Sequence, residues 1–246
     1  MSEFKIITHS NAKTGGYGEY SLNAGIGCTH QCPYCYASFA VHRHKDSFHS
    51  MCTPKKDLEK KLEADCQKLV KENFRGRILL SHVTDPYQPE EVDAGRTRAC
   101  ITILNKYGIN FQVLTKGGTR ACRDFDLYMP GDSFAITLTT LDEEKASIWE
   151  PFAANPIDRI VALVNAQELG IDTWVSLEPV IWPDDTLDII IGCMDYAGHF
   201  KIGPINHNKK LRDTVDWNKF AADVPKTING RVPFYFNRSM QRLLQK

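Results

Sequence analysis

The chain of 246 residues has no net charge, with 30 Lys and Arg against 30 Asp and Glu. It has no run near the roughly 18 consecutive apolar residues of a spanning helix, and its opening, MSEFKIITHSNAK, has no apolar signal core. Its 8 cysteines are too few for a disulfide scaffold at this length, so reduced thiols or metal ligands are expected. No linker, low-complexity tract or sequence repeat is visible. With 42% hydrophobic and 24% charged residues, the chain can bury a substantial core and does not read as disordered. The expectation is a soluble, cytoplasmic protein with no membrane partner.

The zero balance conceals an asymmetry. Residues 1–200 hold 20 basic against 27 acidic residues, while residues 201–246 hold 10 against 3. Such a basic terminus can meet phosphates, although most basic tails are simply solvated.

Short apolar runs alternate with helical patterns, the mark of parallel βα units. Tyr20–Ile26, Ile78–Val83, Phe111–Thr115, Phe134–Leu141, Thr173–Leu177 and Phe200–Ile205 read as strands. Residues 55–72 place Leu58, Leu62, Leu69 and Val70 near one helix face, with Thr53 and Pro54 as the start. Further helices are expected at Glu91–Tyr107, near 119–128 and near 157–168, and residues 184–192 are ambiguous between helix and strand. In the tail, helices are expected near 216–223 and 237–245. Six units with no clear seventh or eighth predict an α/β fold, an incomplete (β/α)6 TIM-like barrel over residues 1–206. Residues 207–246 form a short, basic, helical C-terminal extension packed on it. Chemistry in such folds collects at the C-terminal strand ends.

Directly after the first strand come Cys28, Cys32 and Cys35, a C-x3-C-x2-C spacing that can bring three thiolates into one small volume. Thiolates select soft metals or iron-sulfur clusters. A structural zinc site would need a fourth ligand from His30, His42, His44 or the distant Cys52, and none stands in a recognised finger spacing. Cys66 and Cys100 fall in helical patterns and read as buried small residues. Gly15, Gly16 and Gly18 invite a phosphate-loop reading, but no GK[ST] follows. HRHK at 42–45 reads as a solvated turn or a nucleic-acid contact.

The cysteine spacing, its position after a first strand and the aromatic Tyr34 resemble the cluster loop of the radical S-adenosylmethionine (SAM) superfamily. The strings LNAGIGCTHQCPYCYA, SHVTDPYQPEE (81–91), LTKGG (114–118), ITLTTLDEE (136–144), WEP (149–151) and LEPVI (177–181) extend the likeness to the spore photoproduct lyase-like branch, over about residues 18–206. The resemblance implies that Cys28, Cys32 and Cys35 hold a [4Fe-4S] cluster whose fourth iron takes the amino and carboxylate groups of SAM. Reductive cleavage of SAM then gives a 5′-deoxyadenosyl radical, and the electron comes from a donor such as flavodoxin or ferredoxin. It further implies that Thr84 and Asp85 meet the amino group or ribose, Lys116 the carboxylate and Thr137 the ribose. Tyr34 would lie over the cluster or adenine, and Pro179 and Val180 would flank adenine. Taken alone, Asp85 before a Pro is a common turn opener, and Lys116 would be a solvated strand-end charge. Glu150, Arg159 and Glu178 are candidates for either cofactor binding or scaffold ion pairs.

The lyase itself uses a cysteine two residues before the hydroxyl residue and Asp, and here that position is His82. Imidazole cannot replace a thiol as hydrogen-atom donor, so lesion repair is not carried over. His82 instead reads as a substrate hydrogen-bonder, a general acid or base, or a structural residue. The expected function is a radical SAM enzyme acting on a nucleic acid or nucleoside, with a small metabolite or peptide left open. The rival is a non-catalytic zinc or cluster-binding module that holds nucleic acid.

Overall fold

The computed structural model describes residues 4–9, 17–206 and 208–245. Its eight-stranded sheet runs in chain order through β1 (Ile7–His9), β2 (Tyr20–Leu22), β3 (Ile78–Leu80), β4 (Phe111–Thr115), β5 (Ser133–Thr137), β6 (Asp172–Val180), β7 (Phe200–Pro204) and β8 (Phe234–Phe236). β1 is antiparallel to β2, and every later pair is parallel. β1 and β8 are the sheet edges, so the barrel is open between them.

Parallel strands are covered on both faces and so carry little polar alternation. Ile78, Leu79 and Leu80 are all buried. The side chains still sort by face. Phe134, Ile136, Val175, Leu177, Phe200 and Ile202 join the main core with the surrounding helices, whereas Leu79, Ala135 and Trp174 form a separate cluster with Tyr17. The second cluster plugs the barrel interior, and the polar residues that follow on the same strands face the space above it.

Helix Leu58–Lys71 buries Leu62 and Leu69 with Cys66, and Leu58 partly, but leaves Val70, expected on the same face, 52% exposed. It begins after Asp57, however, because Thr53–Pro54 pairs with Gly25–Ile26 in a small antiparallel ladder. The single helix expected over Glu91–Tyr107 is two, Pro89–Ala94 and Arg96–Lys106, divided at Gly95, whose φ of 64° lies in the left-handed region that glycine tolerates. The segment expected near 119–128 is a 3₁₀ helix, Gly118–Leu127. The ambiguous residues 184–192 form helix Pro183–Cys193, with Ile189, Ile190 and Cys193 inward.

The tail departs most from expectation. Between helices Trp217–Ile228 and Arg238–Leu244, β8 pairs Phe234, Tyr235 and Phe236 with Phe200, Lys201 and Ile202. Among the described residues the parallel strands thus number seven, one more than the pattern predicted. A three-residue strand is too short for periodicity to register.

Candidate active site

The cysteine loop leaves β2 through Gly27, which has φ 122°, and a Cβ there would overlap the carbonyl oxygen of Met51. The Cys28 amide donates to Phe48 O of helix Lys45–Ser50 at 3.1 Å and the Cys35 amide to Cys32 O at 3.0 Å, so the loop is anchored at Cys28 and turns between Cys32 and Cys35. All three line one cavity of about 460 Å³ at the C-terminal strand ends. Burial pushes the Cys32 thiol up to about 12 and raises Cys28 and Cys35 as well. Such thiols ionise only beside added positive charge, which bound iron supplies.

Among the described residues, no three His, Cys, Asp or Glu side chains converge closely enough to share a single metal ion. A cluster does not demand that convergence, because each thiolate takes a different iron. The donor set, three thiols on one cavity wall, therefore fits a [4Fe-4S] group.

Asp85, Lys116 and Thr137 line the same cavity. Asp85 is heavily committed. Its Oδ1 accepts from the Tyr87 amide (2.8 Å) and the Thr115 hydroxyl (2.5 Å), and its Oδ2 accepts from the Lys116 amide (2.8 Å), with His30 Nδ1 at 3.6 Å. Burial works to raise its pKa, but His30 and these bonds outweigh it and hold the carboxyl below its ordinary range. Asp85 thus ties the end of β3 to the end of β4 and has little acceptor capacity left for a ligand. Thr84 also braces the loop, donating to Gly27 O at 2.7 Å and accepting from Gln88 Nε2 at 2.8 Å.

Behind the cysteine loop lies a buried ionic clasp. Arg159 Nη1 meets Glu150 Oε2 at 2.5 Å and Thr137 O at 2.9 Å, and its Nε donates to Ala154 O at 2.7 Å. Glu150 Oε1 accepts from the Tyr34 hydroxyl and lies 3.9 Å from Lys116 Nζ. Arg159 is 1% exposed and Glu150 3%. Burial tends to raise Glu150, but Arg159 and Lys116 together hold it below its usual value. Neither Glu150 nor Arg159 reaches the cavity wall. Of their two expected roles the geometry therefore favours the scaffold ion pair, one that fixes Tyr34, Lys116 and the end of β5 relative to one another. Tyr34 does face the cavity, and Trp149 stacks on its ring at 6.4 Å.

The opposite wall was less visible in the sequence. Tyr17 donates to Glu178 Oε2 at 2.6 Å and lies 3.2 Å from Ser176 Oγ. Burial raises Glu178, and its Oε1 has no hydrogen-bond partner. His82 lines the cavity with its amide bound to Asn23 Oδ1 at 2.7 Å, and its buried Nε2 is also unpartnered. Burial first, then the Lys201 charge, lowers His82 to about 4, so the ring is neutral. Asn237, Arg238 and Ser239 from the tail complete the wall.

Sequence reasoning overlooked Tyr17, Ser176 and Asn237. Ser176 had a signal, since Trp174, Ser176 and Glu178 share one face of β6 by alternation. Tyr17 and Asn237 had none, because each reaches the site from a distant part of the chain. Gly15 and Gly16 lie outside the described residues, and Gly18 sits beside Arg77 O and the Gln112 side chain, away from the cavity. Cys66 and Cys100 are buried, as expected.

The sequence profile of the radical SAM superfamily matches residues 22–197. Among curated proteins, an uncharacterized protein of Methanocaldococcus jannaschii is 31% identical over 180 residues, covering 71% of this chain and 65% of the relative. An uncharacterized protein of Acidianus two-tailed virus is 28% identical over 189 residues, covering 70% and 61%. The chain thus spans under two thirds of the length of these relatives. In structure, a point mutant of spore photoproduct lyase superposes with TM-score 0.73 at 12% identity, covering 96% of this chain and 80% of the lyase. Streptococcus suis SuiB bound to S-adenosylmethionine superposes with TM-score 0.66 at 11% identity, covering 88% and 49%. These likenesses fit an open, partial TIM barrel. No helix among the described residues is long and apolar enough to cross a membrane.

Proposed function

Because the chain belongs to the radical SAM superfamily, whose members use a [4Fe-4S] cluster and SAM, we propose that it is a SAM-cleaving enzyme acting on a nucleic acid or nucleoside. The observation that carries this reading is the convergence of Cys28, Cys32 and Cys35 with Lys116 and Thr137 on one cavity at the strand ends. When bound, the cluster and SAM supply a 5′-deoxyadenosyl radical that removes a hydrogen atom from the substrate.

The residues of this chain do the rest. Cys28, Cys32 and Cys35 ligate the cluster. Lys116 offers its ammonium to the SAM carboxylate, and Thr137 its hydroxyl to the ribose. Asp85 and Thr84 act mainly by holding the loops at the β3 and β4 ends in register. On the far wall, the unpartnered Nε2 of His82 and Oε1 of Glu178 are groups whose burial is costly until a ligand pairs them. In this reading a polar substrate group does so, with neutral His82 as hydrogen-bond partner or base. Arg238 on the cavity wall, and the exposed Lys209 and Lys210 three and four residues after Asn206 of the same wall, support an anionic substrate.

Anaerobic reconstitution tests the proposal. The loaded chain is expected to hold about four irons and four sulfides and to release 5′-deoxyadenosine from SAM with dithionite. Stoichiometric zinc without SAM cleavage overturns it in favour of a binding module. The substrate arm is read from DNA binding: neutralising Lys209, Lys210 and Arg212 should lower affinity and flatten its salt slope. An unchanged slope removes the tail from the argument.

A further inference from the structure

Gln88 stands at the N-cap of helix Pro89–Ala94, yet its side chain makes no capping bond there. The usual N-cap residues are short and bond their own helix, whereas Gln88 reaches across to the cysteine loop. Its Oε1 accepts from the Thr29 amide at 2.9 Å, with Thr29 Oγ1 at 3.4 Å, and its Nε2 donates to Thr84 Oγ1 at 2.8 Å and to Gly27 O at 3.4 Å. The Thr84 hydroxyl in turn donates to Gly27 O at 2.7 Å. Gln88 is 0% exposed, and these bonds offset the cost of burying its amide.

The contacts fall on both flanks of Cys28. The peptide plane before it carries Gly27 O, and the plane after it carries the Thr29 N–H. Because each peptide is planar, holding the two planes fixes φ and ψ at Cys28 and with them the direction of its Cα–Cβ bond. From the other side, Phe48 O takes the Cys28 amide, and His49 Nδ1 lies 2.8 Å from Cys28 O. Gln88 does not line the cavity, so it acts on the cysteine and not on a ligand.

We propose that Gln88 is the positioning residue of Cys28: its amide aims the thiol into the cavity and ties it, through Thr84, to the end of β3. The proposal rests on the cluster reading above. Outer partners that orient metal ligands commonly account for about 10–100-fold in metal affinity, and that is the effect expected here.

Gln88→Met keeps the volume and removes every polar contact. In the reconstituted protein its iron should pass to an excess of chelator at least about tenfold faster than in the wild type. The core truncation Leu69→Ala, on helix Leu58–Lys71, controls for a general loss of stability and should leave that rate within about twofold of the wild type, since surrounding contacts set ligand geometry only where they touch it. The second readout needs no iron. Iodoacetamide labelling of the cluster-free protein, resolved by fragmentation mass spectrometry, should be several-fold faster at Cys28 in Gln88→Met, with Cys35 and Cys122 unchanged. Should Gln88→Met fail to fold, Gln88→Asn decides, because its amide is one methylene too short to span both flanks. Iron loss at the wild-type rate, or no faster than in Leu69→Ala, overturns the proposal, as does an equal rise in labelling at Cys28 and Cys35. If even the wild type takes up no iron, the cluster reading fails, and the labelling of Cys28 still upholds or overturns the role of Gln88.

Discussion

Replacing Arg159 by Met removes the cation from the clasp but keeps most of its volume. Glu150 would then be a buried carboxylate with only the Tyr34 hydroxyl and Lys116, 3.9 Å away, to offset it. Breaking a buried pair from one side costs about 3–5 kcal/mol, and the remaining Lys116 places the expected loss near the lower end. For a chain of this size each kcal/mol lowers Tm by about 2–4 °C, so a fall of about 6–12 °C is expected at pH 7 in the cluster-free protein. The pH dependence carries the sharper test. Glu150 is held below its ordinary pKa in the folded wild type, so its contribution is present above the unfolded carboxyl value of about 4.3 and is lost as pH falls through the folded value. In Arg159→Met the loss of the cation leaves burial to raise Glu150. Acid then relieves the uncompensated charge in the variant, while the wild type keeps most of its contribution. The gap between the two should narrow from pH 7 to pH 4, and the double variant with Glu150→Gln should be more stable at pH 7 than Arg159→Met alone. Calorimetric scans at both pH values measure this. A Tm loss under about 2 °C, or a gap that does not narrow on acidification, refutes the clasp as the element binding these strands.

Gly27→Ala should abolish iron uptake, because a Cβ at φ 122° overlaps the Met51 carbonyl and shifts the loop. Full iron content in that variant would show that the loop geometry is not needed. Lys116→Met should weaken SAM binding at least about tenfold, roughly 1.4 kcal/mol, with iron content preserved; equilibrium dialysis with an unaltered Kd would exclude the assignment. His30 and His82 are both lowered to about 4 by burial. The unfolded chain thus takes up protons that the folded chain refuses between about pH 6.5 and 4, and stability should fall as pH drops through that window. Urea midpoints for His82→Asn should vary less between pH 7.5 and 5.5 than those of the wild type, and equal variation would contradict a neutral buried ring.

The cysteine loop was legible because its spacing is local, and Lys116 and Thr137 because they end recognisable strands. The clasp was not, although its residues were singled out. Whether Glu150 and Arg159 bind a cofactor or each other depends on which way two side chains turn across a nine-residue bend, and no pattern records that. Asp85 was found for its position, but its three intramolecular donors come from residues 87, 115 and 116, a convergence that exists only after strands pair. β8 was missed for a related reason. Phe234, Tyr235 and Phe236 are flanked by Pro233 and Asn237, and it is pairing with β7 that makes them a strand.

The cavity is bounded on one side by residues 28–35 and on the other by residues 237–239. A ribosome delivers those two sides roughly 200 residues apart, and the clasp that steadies the cysteines is complete by residue 159. During synthesis Cys28, Cys32, Cys35 and the clasp residues are therefore all made before the last wall of the cavity.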